Sequence, residues 1–205
     1  MKKKIITIGR EFGSGGREIG KRLANALNIT YYDKELLGIA AKESGLSTEF
    51  LESYDEKSNG SFLYSLVMGQ ANMFYNGNTN NSVEQLASIA QREAVMNVAE
   101  KGSCIIVGRC ADYILKDEEN ILRVFICANY EDRLERIKAR DKVNDKEAQE
   151  KIKRMDKARK AYYSCHADTE WGVAKNYDLC MNVSKLGIEK TVAQIQSVAE
   201  QLMNK

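Results

Sequence analysis

Near the start of the chain, an apolar segment at residues 5–8 runs into a glycine-rich stretch at residues 9–17, and a helical pattern follows. Glycine allows backbone turns that a Cβ atom would block, so successive amide N–H groups and the positive end of a helix can point at one anion. This order of strand, glycine-rich turn and helix predicts a phosphate-binding loop at the first strand of an α/β domain. The alternative is a tight connection that binds nothing.

The glycine-rich stretch departs from the usual P-loop pattern, GxxxxGK[ST], whose lysine faces the transferred phosphoryl oxygens and whose hydroxyl helps to hold magnesium. When the first glycine of the pattern is aligned with Arg10, Gly16 stands at the position of the lysine and Arg17 at the position of the serine or threonine. If the pattern is moved by one residue along the chain, Arg17 stands at the position of the lysine and Glu18 at the position of the serine or threonine. Because arginine carries the missing charge on a bidentate fork, Arg17 is the candidate replacement for the lysine.

Composition narrows the class of protein. The 205 residues fit one domain, and 31 basic against 29 acidic residues leave a net charge of +2, which is too small for a nucleic-acid-binding surface over the whole protein. No apolar run approaches the about 18 residues of a membrane span. Five scattered cysteines without CxxC spacing argue against a zinc site. These features predict a cytoplasmic protein that binds a small molecule, with no nucleic acid and no membrane as partner, and they leave the oligomeric state open.

Strands and helices alternate along the chain. Apolar runs at residues 104–107 and 121–127 predict buried strands, and shorter strands are expected at residues 29–32 and 177–183. Helical patterns separate them, and Ser184 is expected to cap the last helix. This alternation predicts an α/β fold of the P-loop type, a three-layer α/β/α domain with a parallel sheet, whose ligand binds beyond the carboxyl ends of the strands.

Polar residues follow two of these strands, where a ligand is expected. Asp33 follows the second strand, and Arg109 and Asp112 follow the strand at residues 104–107. Asp33 can accept hydrogen bonds from a sugar or a base, and Arg109 can bind a phosphate group. In the alternative interpretation, Asp33 caps the next helix and Arg109 pairs with a nearby carboxylate.

Five segments of the chain carry a resemblance to a known family. In chain order they are IITIGREFGSGGREIGKRLANALNITYYD, GRCADYIL, VFICANYEDRLERI, DKARKAYY and YDLCMNVSKLGIEK. Together they resemble the cytidylate kinase-like family of P-loop nucleoside monophosphate kinases over nearly the whole chain. The resemblance implies a single domain with its core at residues 1–45 and 83–205, an acceptor-binding insertion at about residues 46–82, where the similarity is weakest, and a helical lid at about residues 133–170.

The resemblance also implies an activity, the transfer of a phosphoryl group from ATP to a nucleoside monophosphate, with Mg²⁺ bridging the donor phosphates. CMP or dCMP is the expected acceptor, and UMP is possible. The alternatives are a kinase for another small phosphate acceptor and a nucleotide-binding regulatory protein without turnover, which the missing lysine favours. Phosphoryl transfer depends on positioning and positive charge more than on a covalent nucleophile, so the lack of a nucleophile and base pair is compatible with it.

The same resemblance implies roles for individual residues. Arg109 matches the arginine of the family's Gly-Arg-Asp motif, which contacts the acceptor, although Cys110 stands where the motif has Asp. The residues expected to be catalytic are Arg17, Arg154 and Arg159, and those expected to bind the acceptor are Asp33, Arg109 and Asp112. The residues expected to bind ATP are Gly13, Ser14, Gly15, Gly16, Arg17, Glu18, Arg133 and Arg136. The sequence assigns no magnesium ligands.

Overall fold

The structure is a computed structural model that describes residues 3–45, 47 and 83–203. Its strands are β1 (Ile5–Arg10), β2 (Thr30–Tyr32), β3 (Cys104–Val107), β4 (Ile121–Cys127) and β5 (Leu179–Asn182). Its helices are α1 (Gly16–Leu27), α2 (Glu35–Ser44), α3 (Val83–Lys101), α4 (Ala111–Ile114), α5 (Tyr130–Asp141), α6 (Asp145–His166) and α7 (Val183–Met203), with a 3-10 turn at Ala174–Asn176. The insertion predicted at residues 46–82 lies, apart from Ser47, outside the described residues.

The five strands form one parallel sheet in the order β2-β3-β1-β4-β5. The prediction of an α/β domain with a parallel sheet is therefore confirmed. In the register between β1 and β4, Ile5 pairs with Ile121 and Arg10 pairs with Ile126. Because the strands are parallel, their carboxyl ends meet at one edge, and the glycine-rich loop after β1 lies beside the segments that follow β3 and β4.

Apolar side chains cover both faces of the sheet, as the near-continuous apolar strands predict. On one face, Ile6 and Ile8 pack with side chains of α1 and α7, and on the other face Ile5 packs with α2 and α3. Since side chains alternate along a strand, Arg10 belongs to the same face as Ile6 and Ile8. The β1 strand therefore directs Arg10 toward Gly16 at the start of α1.

Most of the predicted boundaries agree with the structure. The strands predicted at residues 104–107 and 121–127 coincide with β3 and β4. The helix after β5 differs from the prediction, because α7 begins at Val183 and the N–H of Ser184 donates to the side chain of Asn182 at 3.0 Å. Ser184 therefore lies in the first turn of α7, before a break at Gly187 where the backbone is not helical, and it is not the cap of the helix. None of the helices in the described ranges combines the length and the apolar character needed to span a bilayer.

Candidate active site

The glycine-rich loop at residues 11–15 joins β1 to α1. Gly13 and Gly15 have φ angles of 83° and 90°, in the left-handed region that other residues rarely adopt. Gly15 gives α1 no side-chain cap, so the first N–H groups of this 12-residue helix have no partner within the helix. The Ser14 hydroxyl donates to the carbonyl of Glu11 at 2.9 Å. The loop thus presents the positive end of a helix, which is what a phosphate group needs.

Helices α5 and α6 hold the outer side of this loop. Arg133 Nε donates to the carbonyl of Phe12 at 2.8 Å, and Arg136 Nη1 donates to the carbonyl of Gly13 at 2.8 Å. Arg133 also forms an ion pair with Asp156, whose other carboxylate oxygen accepts the N–H of Phe12 at 2.7 Å. These bonds direct the carbonyls of Phe12 and Gly13 toward α5. Side chains of the protein therefore satisfy these two carbonyl oxygens.

A cavity of about 120 Å³ opens at the carboxyl ends of β1, β2 and β3. Four arginines, which we call the arginine cluster, line it together with two carboxylates and several aromatic side chains. The cluster consists of Arg10, Arg17, Arg109 and Arg159, and the other side chains include Asp33, Asp112, Tyr162, Tyr163, Trp171 and Tyr177. The cavity thus collects residues from the beginning, the middle and the end of the chain beside the glycine-rich loop.

Asp33 pairs with two members of the arginine cluster. Its side chain is almost fully buried, with Oδ2 at 2.5 Å from Arg17 Nε and Oδ1 at 3.6 Å from Arg10 Nη2. The hydroxyl of Tyr31 lies 3.5 Å from Oδ2. The residue that precedes α2 at its N-cap position is Lys34. The carboxylate of Asp33 therefore faces the cavity, and the interpretation of this residue as a helix cap is wrong.

The segment after β3 has an unusual backbone. Gly108, Arg109 and Cys110 have φ angles of 76°, 58° and 55° in succession. For residues other than glycine, this conformation costs about 1–3 kcal/mol and persists only where the surroundings impose it. Arg109 is 8% exposed, and burial together with the charge of Arg10 lowers its pKa to about 10. A strained, buried arginine at the edge of a cavity is typical of a ligand-binding position.

Asp112 connects this segment to α6. The hydroxyl of Tyr163 donates to Asp112 Oδ2 at 2.7 Å, and the same hydroxyl lies 3.2 Å from Thr169 Oγ1. Burial raises the pKa of Asp112, and the hydrogen bond from Tyr163 opposes this shift. The pair fixes α6 beside the segment after β3, so it positions the part of the helix that lines the cavity.

Among the described residues that line the cavity, the guanidinium groups of the arginine cluster outnumber the carboxylates. Burial lowers the pKa of Arg10 and of Arg159, and in each case the charges of neighbouring arginines add to the effect. Asp33 opposes the shift at Arg10, and Asp156 opposes it at Arg159. Four guanidinium groups share the cavity with two carboxylates. An anion in the cavity would therefore reduce the repulsion between the arginines.

Several residues that the sequence predicts for the site lie away from the cavity. Arg154 is exposed on α6 and does not line it. Glu18 is half-exposed and pairs with Arg22 at 2.6 Å. Arg133 and Arg136 bind the loop carbonyls from outside. The catalytic role of Arg154 and the ATP-binding roles of the other three residues stay predictions.

Sequence reasoning missed Arg10 and the aromatic side chains of α6. The signal for Arg10 lies in the P-loop pattern itself, where an arginine replaces the first glycine while a glycine, Gly16, replaces the lysine. The signal for Tyr162 is its spacing, because it follows Arg159 by three residues and shares its face of the helix.

The described residues offer no site built to hold magnesium. Within the described ranges, no three His, Cys, Asp or Glu side chains lie close enough together to bind a metal ion. At the position of the P-loop hydroxyl stands Arg17, a cation whose side chain pairs with Asp33. This donor set does not fit a magnesium ion held by the protein. Mg²⁺ would enter on the nucleotide phosphates and keep most of its waters.

Comparison with known proteins shows the family of the chain. The sequence model of the cytidylate kinase-like family matches residues 5–185. The chain belongs to this family. An uncharacterized protein from Eubacterium ventriosum ATCC 27560 is 30% identical, with a TM-score of 0.72, and the match covers 96% of this chain and 98% of that one. The comparison with curated proteins gave no match.

Two shikimate kinases share the fold at low sequence identity. The enzyme from Bacteroides thetaiotaomicron is 15% identical, with a TM-score of 0.55, over 97% of this chain and 99% of that one. The enzyme from Acinetobacter baumannii, solved in complex with shikimate, is 14% identical, with a TM-score of 0.52, over 99% of this chain and 96% of that one. The resemblance seen in the sequence is thereby confirmed, and family and fold together indicate a P-loop kinase with a small-molecule acceptor.

Proposed function

We propose that the protein transfers the γ-phosphoryl group of ATP to a nucleoside monophosphate, with CMP or dCMP preferred to UMP. The observation that supports this most is the arginine cluster, which lines a cavity beside the glycine-rich loop at the carboxyl edge of the sheet. A donor phosphate at the loop and an acceptor phosphate in the cavity would meet at this edge. The preference for a cytidylate follows from the family.

In this reaction the bond between the γ-phosphorus and the β,γ-bridging oxygen breaks, and a new bond joins the γ-phosphorus to an oxygen of the acceptor phosphate. The products are ADP and a nucleoside diphosphate. Charge spreads over the three equatorial oxygens of the transferred group, so fixed positive charge stabilises the transition state. Arg17 and Arg159 approach the cavity from α1 and α6 and can donate to these oxygens. Magnesium, when bound with the nucleotide, neutralises charge on the donor phosphates.

The cavity suits the phosphate end of an acceptor. Its volume of about 120 Å³ is small, and buried guanidinium groups line it. Arg109 would bind the acceptor phosphate as a bidentate donor. Asp33 would accept a hydroxyl of the sugar, and Tyr162 and Trp171 would provide aromatic surface.

A nucleotide-binding regulatory protein without turnover is the second candidate. The glycine at position 16 favours it, because the loss of a lysine that faces the phosphoryl group removes transition-state stabilisation. A kinase for another small acceptor would use the same cavity. Since two shikimate kinases share the fold, shikimate belongs among the acceptors to be tested.

The test is a coupled assay of ADP release with ATP, Mg²⁺ and a panel of CMP, dCMP, UMP, AMP and shikimate. We expect acceptor-dependent release with CMP or dCMP, and slower release with UMP. In the matched variant Asp33→Asn, the acceptor KM should rise about tenfold, the loss of one hydrogen bond to a charged group, while the ATP KM stays close to that of the wild type.

Three results would contradict the proposal. ATP binding by calorimetry without ADP release from any acceptor would support the regulatory protein instead. Release with shikimate alone would overturn the nucleotide acceptor. A change in the ATP KM of Asp33→Asn, with the acceptor KM unaltered, would show that the acceptor does not occupy this cavity.

A further inference from the structure

The two departures from the P-loop pattern, Arg10 and Gly16, lie against each other. A Cβ atom placed on Gly16 would be 2.7 Å from Cβ and 3.0 Å from Cγ of Arg10. These separations are well below ordinary van der Waals contact between carbon atoms. Any side chain at position 16, a lysine included, would therefore displace Arg10. The Arg10 side chain takes the space in which the stem of the lysine would begin.

A second glycine makes room for the other end of the same side chain. A Cβ atom placed on Gly108 would be 1.9 Å from Arg10 Nη1. Arg10 Nη2 lies 3.6 Å from Asp33 Oδ1. The side chain of Arg10 thus runs from the end of β1, past the first residue of α1, to the end of β3. Its guanidinium group lines the cavity.

We propose that Arg10 replaces the P-loop lysine and that its guanidinium group contacts the transferred phosphoryl group, with Gly16 providing the space that admits it. The glycine and the cation have exchanged places between the two ends of the loop. This inference rests on the proposed phosphoryl transfer and adds to it a residue that the sequence pattern alone does not single out. Arg17, the expected replacement, has a side chain that is 52% exposed, whereas that of Arg10 is 15% exposed.

The surroundings of Arg10 keep it in place before a ligand arrives. Its main-chain carbonyl accepts a hydrogen bond from Arg159 Nη1 at 2.8 Å, and its own guanidinium group is flanked by Gly108 and Asp33. A charge fixed in a site of low water content interacts more strongly with a phosphoryl oxygen than a charge in solvent does. Such a cation stabilises a transition state without a reorganisation cost.

The test restores the usual P-loop arrangement at positions 10 and 16. The variants are Arg10→Gly, Gly16→Lys and the double variant, in which the loop regains a first glycine and a lysine at their usual positions. Arg10→Gly removes the charge, and Gly16→Lys forces two long side chains into one space. We expect each single variant to lower kcat about 10²-fold, the effect of removing one transition-state donor. Because the two residues share one space, their effects are coupled, and the double variant should exceed the better single variant about tenfold.

A binding measurement separates this inference from the proposed activity. Trp171, the single tryptophan of the chain, lines the cavity, so its fluorescence can follow the binding of ATP and of inorganic tripolyphosphate. Arg10→Gln keeps much of the stem and loses the charge, and it should weaken both affinities about tenfold. Lys153→Gln removes the charge of an exposed lysine on α6 and should leave them unchanged.

The outcomes are distinct. A double variant no better than the single variants, at thermal midpoints near that of the wild type, would overturn the role of Arg10, and so would wild-type affinity for tripolyphosphate in Arg10→Gln. If the exchange variants do not fold, the affinity of Arg10→Gln decides. If the wild type phosphorylates no acceptor in the panel, the proposed function fails, while weakened tripolyphosphate binding in Arg10→Gln would still support the contact between Arg10 and phosphate.

Discussion

Two groups of arginines lie beside the glycine-rich loop, an outer group on α5 and the arginine cluster of the cavity, and they differ in their partners. On the outer side, Arg133 and Arg136 donate to loop carbonyls, and Arg133 also pairs with Glu11 and Asp156. On the inner side, the four guanidinium groups of the arginine cluster share one cavity with two carboxylates. The outer charges have carboxylate and carbonyl partners, whereas among the described residues that line the cavity the guanidinium groups outnumber the carboxylates.

Because their partners differ, we expect the two groups of arginines to have different functions. A buried arginine with carboxylate and carbonyl partners holds its neighbours in place, and its removal leaves those partners without a counter-charge. Like charges in excess repel each other, and a protein tolerates them where a ligand of opposite charge binds. Substitution on the outer side should therefore lower stability first, and substitution on the inner side should lower activity first.

The largest effect is expected at Arg133, whose side chain is almost fully buried. Arg133→Met retains apolar volume but leaves Glu11 and Asp156 without their cation. Breaking a buried ion pair by removing one partner costs about 3–5 kcal/mol, and we expect the free energy of unfolding to fall by that amount. Chemical denaturation measures it. The matched control is Lys138→Met on the same helix; this lysine is half-buried, but its partners Glu135 and Asp145 are exposed, so the variant should unfold nearly as the wild type does.

The variant Arg133→Met also tests whether Arg133 belongs to the outer group of arginines. The sequence predicts Arg133 as an ATP-binding residue. If Arg133→Met kept the stability of the wild type and lost affinity for ATP, Arg133 would belong with the inner group, and its bonds to the loop would not be its main task.

A smaller effect, on activity alone, is expected at Arg17. Its side chain is half-exposed, and Arg10 would still lie beside Asp33 in its absence, so Arg17→Ala should leave the thermal midpoint nearly unchanged. If Arg17 donates to the transferred group, kcat should fall about 10²-fold. The control is Lys21→Ala, an exposed cation on the same helix. Wild-type turnover in Arg17→Ala would remove Arg17 from the catalytic residues and leave Arg10 as the cation supplied by the loop.

The sheet was predictable from the sequence because its signal is local. The runs at residues 104–107 and 121–127 are apolar at every position or nearly so, which only a strand buried on both faces requires. The end of β1 was harder to predict. Gly9 and Arg10 look like part of the loop, and they are held in the strand by pairing with Phe125 and Ile126 of β4. That information lies more than a hundred residues away in the chain.

The sequence predicts those parts of the site whose position follows from the order and direction of the strands alone. Asp33 and Arg109 follow strands of one parallel sheet, so their meeting at one edge needs no knowledge of side chains. The approach of Arg10 to Gly16 depends on the face to which the pleat directs a side chain and on the distance between a strand and a helix. The sequence shows the charge of Arg133 but not its partners. Only the partners of an arginine show whether it holds the loop in place or is available to bind a ligand.

The smallest effect concerns the junction between α5, which carries the outer arginines, and α6, which carries Arg159 of the arginine cluster. Asp141 accepts hydrogen bonds from Arg140 at 2.6 Å and from Lys151 at 2.9 Å, and these bonds hold its pKa well below the usual range. A carboxyl group whose pKa is lower in the folded protein adds stability above its unfolded pKa of about 4 and loses it as the pH falls toward the folded value.

The free energy of unfolding of the wild type should therefore decrease on acidification from about pH 5 to about pH 2 more than that of Asp141→Asn. The difference should stay below about 1 kcal/mol, because pairs near the surface are screened by solvent. Urea unfolding of both proteins across this range measures it. Identical pH dependence in the two proteins would show that Asp141 adds nothing to the junction. A loss of turnover at neutral pH in Asp141→Asn would instead link this junction to the inner side of the loop, and the separation between the two groups of arginines would not hold.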